Sequence, residues 1–530
     1  MARQETIPIV VGVTGHRNIR SEDRDALYGA VVRTLAELRS RCPHSELLML
    51  NSLAEGADQL CAEAAASLSI PLIAALPMEQ AEYEQDFSGE ALDRFHALCS
   101  AAKECFVVPA TERAPEFPDR DFAYRQAGIC VAARAHVLLA LWDGEETPAS
   151  NCGTAAAVQF ALDCAYVPAD GIPLRRTGAV LHIRTPRDAA SSEAAGTVRF
   201  LGDRESFDKT LARTDEFNRL AAECSVPESG LLPETREADE RLDRIETLYA
   251  KADTLSIRFA KQYRRILAAL AVISTVITAA FLLYDEAELH WMILLCGIML
   301  LAAWLVQRYG KRTVCHRRYL EYRMLAEGLS VQAFLRYAGS GISVADMLPW
   351  SEQTETGWVA AALNTVCIGA APYGSHSIKE PWVMQQYGYH KRSVKKTERA
   401  FEGSDRIVRT ALLLSILLYL AVVVFELVWG GLLPFCERIP DAERFRTITK
   451  LLLGGISAAT LFISNYYGRL SLSRVAADHR KMERFYAVIL DRIDRYGETE
   501  ELLALLAREE LIENGNWFSY QQDNAADFSL

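Results

Sequence analysis

The residues of this chain that could do chemistry fall in four short segments. Gly15, His16 and Arg17 close the apolar run IPIVVGVTGH, and Ser52, Glu55, Gly56 and Asp58 follow LLMLNS. Trp142 and Asp143 end HVLLALW, and Gly153-Thr154 opens the helix-forming run AAAVQFAL. A helix that begins on Gly-Thr after a strand presents unpaired backbone N–H groups and the positive end of a dipole, which together make an anion site. Each residue also has a plainer reading. Gly15 and Gly56 suit tight turns, Arg17 suits a surface cation, His16 suits an ordinary strand end, and Asp143-Gly144 is a common turn pair. Convergence on one edge is what would make them a pocket.

The elements that must hold them read clearly. Residues 7–16, 47–54, 71–78, 104–110, 136–142 and 178–186 are short apolar, β-branched runs, separated by amphipathic stretches such as 21–41, with Leu27, Val31, Leu35 and Leu38 at helical spacing. A further helix is expected over 119–135. Continuous apolar strands alternating with helices predict an α/β, Rossmann-like domain with a mainly parallel sheet covered on both faces. In such sheets the ligand sits beyond the carboxyl ends of the strands, where the four segments fall.

In this order the motifs resemble a SLOG domain: Gly-His-Arg, then Ser-Leu-Ala-Glu-Gly-Ala-Asp (52–58), Pro77 with Tyr83, Asp86 and Phe87, Leu-Trp-Asp-Gly (141–144), and Gly153-Thr154. The resemblance covers residues 7–187. That superfamily includes the LOG nucleotide phosphoribohydrolases and the nucleotide-sensing regions of some cation channels. It implies a ligand of the NAD, ADP-ribose or cyclic-nucleotide class, with phosphate near Gly153-Thr154 and contacts from His16 or Arg17. The LOG enzymes carry Gly-Gly-x-Gly-Thr-x-x-Glu; here Asn151-Cys152 replaces the paired glycines and Ala157 the glutamate. A carboxylate that polarises water has no alanine substitute. No catalytic residue is therefore assigned and a sensor is expected, with Glu55 or Asp58 left as alternatives on another loop.

Composition narrows the classes. The 530 residues carry 57 Lys plus Arg against 69 acidic side chains, net −12, with no basic tract to suggest DNA or RNA. The 12 cysteines are scattered without C-x-x-C spacing, which favours a reducing compartment over a disulfide framework and suggests no metal. No secretory signal is visible at the start of the chain.

The second half changes character. Residues 187–202 read as a loop, 206–224 as a short helix, and 234–264 as a charged helix entering a membrane. Apolar runs at 266–284, 291–306, 410–429 and 448–468 approach the roughly 20 residues needed to span. They predict an all-α membrane region of four transmembrane helices in two hairpins. Basic residues flank the hairpins and DEAELH between the first two spans is acidic, so both termini are expected on the cytoplasmic side of the inner membrane. Glu426 and Lys450 lie at similar depth in the third and fourth spans. An intramembrane carboxylate is a functional candidate; its plainer reading is a Glu426–Lys450 pair locking the hairpin.

Tyr-Arg-x-Leu-Ala-Glu after a hairpin, followed by Trp, Gln and Tyr, is similar to the two-span SLATT family, here in duplicate over 234–520. SLATT domains accompany SLOG domains in bacterial conflict systems and are proposed to form pores or disrupt membranes; any pore would need several copies, hence the expected homo-oligomer in the bilayer, or both hairpins side by side. The expected organisation is a SLOG-like domain at 1–190, linker helices at 191–260, a first hairpin with its cytoplasmic helix at 261–340, connecting helices at 341–400 and a second hairpin at 401–530. The expected function is a nucleotide-sensing membrane effector in antiviral defence. The alternatives are a membrane-anchored nucleotide- or NAD-cleaving hydrolase and a nucleotide-regulated channel or transporter.

Overall fold

The computed structural model describes residues 5–109, 119–145, 152–163, 178–187, 194–225, 230–233, 238–286, 289–348, 356–369, 375–428, 442–470 and 472–523. Seven strands form one sheet: β1 (Ile9–Gly15), β2 (Leu47–Asn51), β3 (Leu72–Leu76), β4 (Glu104–Val107), β5 (Val137–Trp142), β6 (Ala179–Arg184) and β7 (Val198–Gly202). Their spatial order is β4-β3-β2-β1-β5-β6-β7. The first six are parallel; β7 runs antiparallel along β6, with Ile183 opposite Val198 and Ala179 opposite Gly202.

Strand β7 corrects the reading of 187–202 as a loop. VRFLG lies on the sheet edge, half-buried to exposed along its length. A five-residue edge strand with no buried face carries too little alternation to be seen in sequence.

Both faces of the sheet are covered, because successive side chains point to opposite sides. Val11 and Val13 join one core with residues of α1 (Arg24–Arg41), α2 (Ala57–Ser67) and α4 (Glu90–Ala101). Val10, Leu138 and Ala140 join the other with α5 (Arg120–Arg134) and α6 (Thr154–Leu162). The fold is the expected Rossmann-like arrangement.

The chain divides into two compact units. The α/β unit comprises residues 1–255, 321–378 and 499–516. Beyond the sheet it contains α7 (Arg204–Ala222), α11 (Gly357–Val366) and parts of α8 (Glu240–Glu286), α10 (Cys315–Tyr337) and α15 (Glu500–Asp523). Buried ion pairs tie these later segments to the sheet layer. Arg134 of α5 donates from both terminal nitrogens to Asp346 (2.7 Å each) and from one of them to Asn364 Oδ1 (3.0 Å). Arg213 of α7 and the Trp358 indole both donate to Glu321, at 2.9 and 3.0 Å.

The helical unit comprises residues 256–320, 379–498 and 517–530. It holds the rest of α8, α9 (Met292–Thr313), α12 (Gln385–Val428), α13 (Ala442–Leu470) and α14 (Leu472–Tyr496). Three helical stretches are long and apolar enough to cross a membrane: Glu240–Asp285, Met292–Tyr337 and Lys379–Val428. The apolar side chains of their spanning windows point outward; none of the window on Lys379–Val428 is buried. The fourth expected run, 448–468, lies on the 29-residue helix α13 and is not among the three. The side chains of 461, 462 and 464–470 lie outside the described residues.

Candidate functional site

The carboxyl ends of β1 and β5 meet at the point where the chain reverses its course across the sheet. From β1 it proceeds outward through β2, β3 and β4, then returns to place β5 on the other flank of β1. A crevice opens where successive connections diverge, which is the ligand position of open α/β sheets. Gly15 pairs with Leu141, and the His16 N–H continues the ladder to the Leu141 carbonyl at 3.1 Å. The strand register therefore carries His16 up to Asp143.

The Asp143 backbone N–H donates to His16 Nε2 at 3.0 Å. Asp143 Oδ2 lies 3.2 Å from the same nitrogen, a contact to which the ring donates when Nε2 carries a proton, in the neutral Nε2–H tautomer or in the imidazolium. Burial pulls the His16 basicity below its usual value, overcoming the Asp143 charge, and Arg187 adds to the lowering. The neutral ring is thus the resting form, and with its proton on Nδ1 it accepts from the Asp143 N–H. Arg187 Nε also stands 3.5 Å from Asp143 Oδ2, so that carboxylate faces both a histidine and a cation. Trp142 is buried and its carbonyl bonds His182 Nε2 at 2.8 Å.

A second cluster lies beyond Arg17. Its guanidinium donates to Asp86 (3.2 Å) and sits 5.2 Å from the Tyr124 ring centroid. Asp86 also accepts from Arg120 and the Tyr124 hydroxyl. Burial would raise the Asp86 carboxyl, but the Tyr124 bond and the two arginines hold it below the usual carboxylate range. Arg120 and Tyr124 were not singled out in the sequence, although their i, i+4 spacing at the start of α5 was a readable signal.

The β2–α2 connection is braced from inside. Asn51 accepts from the Leu53 N–H (2.7 Å) and donates to the Asp58 carbonyl (2.8 Å), holding Leu53 at φ 59°. That left-handed conformation is costly for leucine and marks a constrained loop. Gly56 has φ 87°, and a Cβ there would stand 2.0 Å from the Arg17 carbonyl oxygen. A Cβ on Gly15 would stand 2.3 Å from that of Ala57. Both glycines are therefore fixed by the close approach of the His16-Arg17 loop to α2. The Ala57 N–H donates to the His16 carbonyl at 3.0 Å, so that loop already occupies part of the α2 amino end. Asn51 is another residue that sequence reasoning missed.

Ser52 is half-buried and Glu55 exposed, whereas Asp58 is buried. Burial raises the Asp58 carboxyl to about 7, against the pull of the Ala54 N–H and the Arg17 charge. An acid poised near neutrality beside a cation is a form that general acid–base chemistry uses.

Gly153 precedes α6 with φ 104° and, as a glycine, offers the helix no side-chain cap of its own. Thr154 is buried in its first turn. Ala157 is buried too, with its Cβ 3.7 Å from where a Cβ on Gly128 of α5 would stand. The position at which the LOG enzymes carry glutamate is thus packed against a neighbouring helix. Asn151 lies outside the described residues. Among the described residues no group of three or more His, Cys, Asp or Glu side chains is placed to hold a metal ion.

In the helical unit, Glu426 is gripped by Arg446, with Nε–Oε1 at 2.5 Å and Nη2–Oε2 at 2.7 Å. Phe425 and Phe445 stack beside them at 4.0 Å. Arg446 stands one helical turn before Lys450, the partner expected from depth alone. A planar guanidinium makes the bidentate grip that an ammonium cannot.

One family, described as a protein of unknown function (DUF4231), matches residues 246–341. The match runs from within α8 through α9 and α10. No curated protein matches the chain.

Proposed function

We propose that this protein is a SLOG-like sensor of a nucleotide-derived ligand joined to a membrane effector. The observation that carries this reading is the meeting of His16 and Asp143 at the sheet reversal between β1 and β5. A neutral imidazole, a buried carboxylate and the exposed Arg187 offer a donor, an acceptor and a cation to a ribose-phosphate ligand. The start of α6 on Gly153 adds backbone N–H groups for phosphate. Helices of membrane-spanning length in the same chain give the signal an output. The two hairpins are read as SLATT-like, inserted in the inner membrane with both termini cytoplasmic, and assembled as a homo-oligomeric pore in antiviral defence. Ligand shifts such an assembly only through unequal affinity for its resting and open states.

The test uses the purified full chain in liposomes loaded with a self-quenched dye. NAD, ADP-ribose, nucleoside monophosphates and cyclic nucleotides are added in turn. A ligand that binds and releases dye, with both responses lost in His16→Ala, supports the reading. Absence of binding across the panel would sink it.

A second reading rests on Asp58. Its carboxyl near neutrality, with Arg17 acting on it, favours a membrane-anchored hydrolase of the same ligand class. Product formation that disappears in Asp58→Asn while binding survives would select the enzyme; binding without product would select the sensor.

A further inference from the structure

Between α8 and α9 lies a pocket of about 480 Å³ lined by Arg258, Gln262, Arg265, Ile266, Ala269, Val306 and Tyr309. The α8 residues recur at intervals of three and four, so they share one helix face. The pocket straddles a change of chemistry. Arg265 immediately precedes the apolar run that begins at Ile266, and Tyr309 follows the apolar stretch that ends at Val306. Gln262 bridges the two helices by donating to the Tyr309 hydroxyl at 2.9 Å. Deeper in the hairpin, the Cys296 thiol faces the Ile277 carbonyl at 3.7 Å, so the helices run antiparallel with the pocket at their open end. On α9 the Arg308 guanidinium lies 5.5 Å from the Trp304 ring, an aromatic–cation pair suited to a bilayer interface.

Arg258 and Arg265 are exposed and, among the described residues, neither has a hydrogen-bond or acidic partner. This is unlike Arg17, Arg134 and Arg213, each held by a carboxylate. Two unpaired guanidiniums above an apolar floor match an amphiphile with an anionic head.

We propose that this pocket binds the phosphate of an anionic phospholipid between Arg258 and Arg265. The glycerol and upper acyl chain rest on Ile266, Ala269 and Val306, and the Gln262–Tyr309 bridge holds the walls apart. Basic pockets between spans at the cytoplasmic side recognise headgroups in this way. The inference rests on the reading that α8 and α9 cross a bilayer.

The experiment first floats the full chain with phosphatidylcholine vesicles; failure to float removes the membrane reading itself. Floating protein is then placed in nanodiscs of phosphatidylcholine with a minor share of phosphatidylglycerol, and the retained lipid is quantified by native mass spectrometry. Wild type should retain phosphatidylglycerol over phosphatidylcholine. Arg258→Gln with Arg265→Gln should reduce that preference by roughly fivefold per arginine, whereas Arg484→Gln with Arg492→Gln, an equal loss of charge elsewhere, should not. Val306→Trp fills the floor without touching charge and should also lower retention. Unchanged preference in both pocket variants overturns the proposal. Displacement by glycerol phosphate at equal concentration would also overturn it, since the ligand would then be a free phosphate rather than a lipid.

Discussion

The two units use the same residue types in opposite ways. In the α/β unit the large apolar side chains are inside, and charged groups that enter with them are matched: Arg134 to Asp346, and Arg213 to Glu321. In the helical unit Leu413, Leu417 and Leu420 face outward, and Arg258 and Arg265, which have no acidic partner among the described residues, stand where the apolar run begins. The difference is the one that three helices long and apolar enough to cross a membrane lead one to expect of a unit facing lipid beside one facing water. Water makes a buried charge expensive and an apolar exterior unfavourable, while hydrocarbon removes the second cost and sharpens the first. The comparison teaches that burial identifies structure in one unit and location in the other.

The strongest way to break the comparison is to remove a buried cation from its carboxylate. Arg134→Met leaves the half-buried Asp346 without its bidentate partner and should destabilise the α/β unit by about 3 kcal/mol, the low end for a buried pair. Adding Asp346→Leu should recover most of that loss, because the cost lies in the abandoned charge. Thermal unfolding of the purified full chain, followed by limited proteolysis, reads both variants. If the double variant is no better than the single, the pair does not act as a matched unit.

The helical unit answers to the converse test. Leu417 is 62% exposed in the middle of the third span. In water, Leu417→Arg at such a position would be harmless. In a bilayer it should cost about 3 kcal/mol of insertion, visible as loss of the protein from the membrane fraction. Normal membrane yield of this variant would remove α12 from the spanning set.

Much of this division was legible in the chain. The first six strands announced themselves as continuous apolar runs, and α8, α9 and α12 by length and apolarity, because both signals are local. The carboxyl-end positions of His16, Gly56 and Asp143 followed from topology rules. What was not legible is non-local. Nothing in the periodicity of residues 341–378 says that Asp346 and Asn364 will meet Arg134 more than 200 positions earlier. The brace from Asn51 depends on a left-handed Leu53 that no propensity favours. The Arg446 grip on Glu426 was not legible either, because depth alone singles out Lys450 and carries no guanidinium geometry.

Asp58 sharpens the comparison from inside the α/β unit, as a buried carboxyl with no ion pair among the described residues. Its folded pKa, about 7, lies above the ordinary carboxylate value of 3.8. The folded state therefore holds a proton that the unfolded chain releases, so stability is fully present below the ordinary value and declines as pH rises toward 7. Asp58→Asn removes this penalty and should stabilise the chain above pH 7, with little effect near pH 4. The difference between the two stability–pH curves is the measurement. Parallel curves would show that the carboxyl is ionised at no cost.

The smallest expected effect concerns His16, and its sign is the reverse. Burial lowers its basicity, so the folded state prefers the neutral ring while the unfolded chain takes up a proton below about 6.5. Stability is present above that pH and is lost as pH falls through it toward the lower folded value. His16→Gln preserves an acceptor for the Asp143 N–H and should flatten this acid limb without changing stability at pH 8. The difference curve is needed because His316 and His390 are also lowered by burial and contribute to the same limb. An anion in the crevice would reverse the preference of His16 by stabilising the charged ring. Affinity for a phosphate-bearing ligand should therefore rise as pH falls from 8 to 6 in wild type and stay level in His16→Gln. Identical slopes in the two proteins would place the ligand away from the β1–β5 reversal and leave His16 with only a structural part.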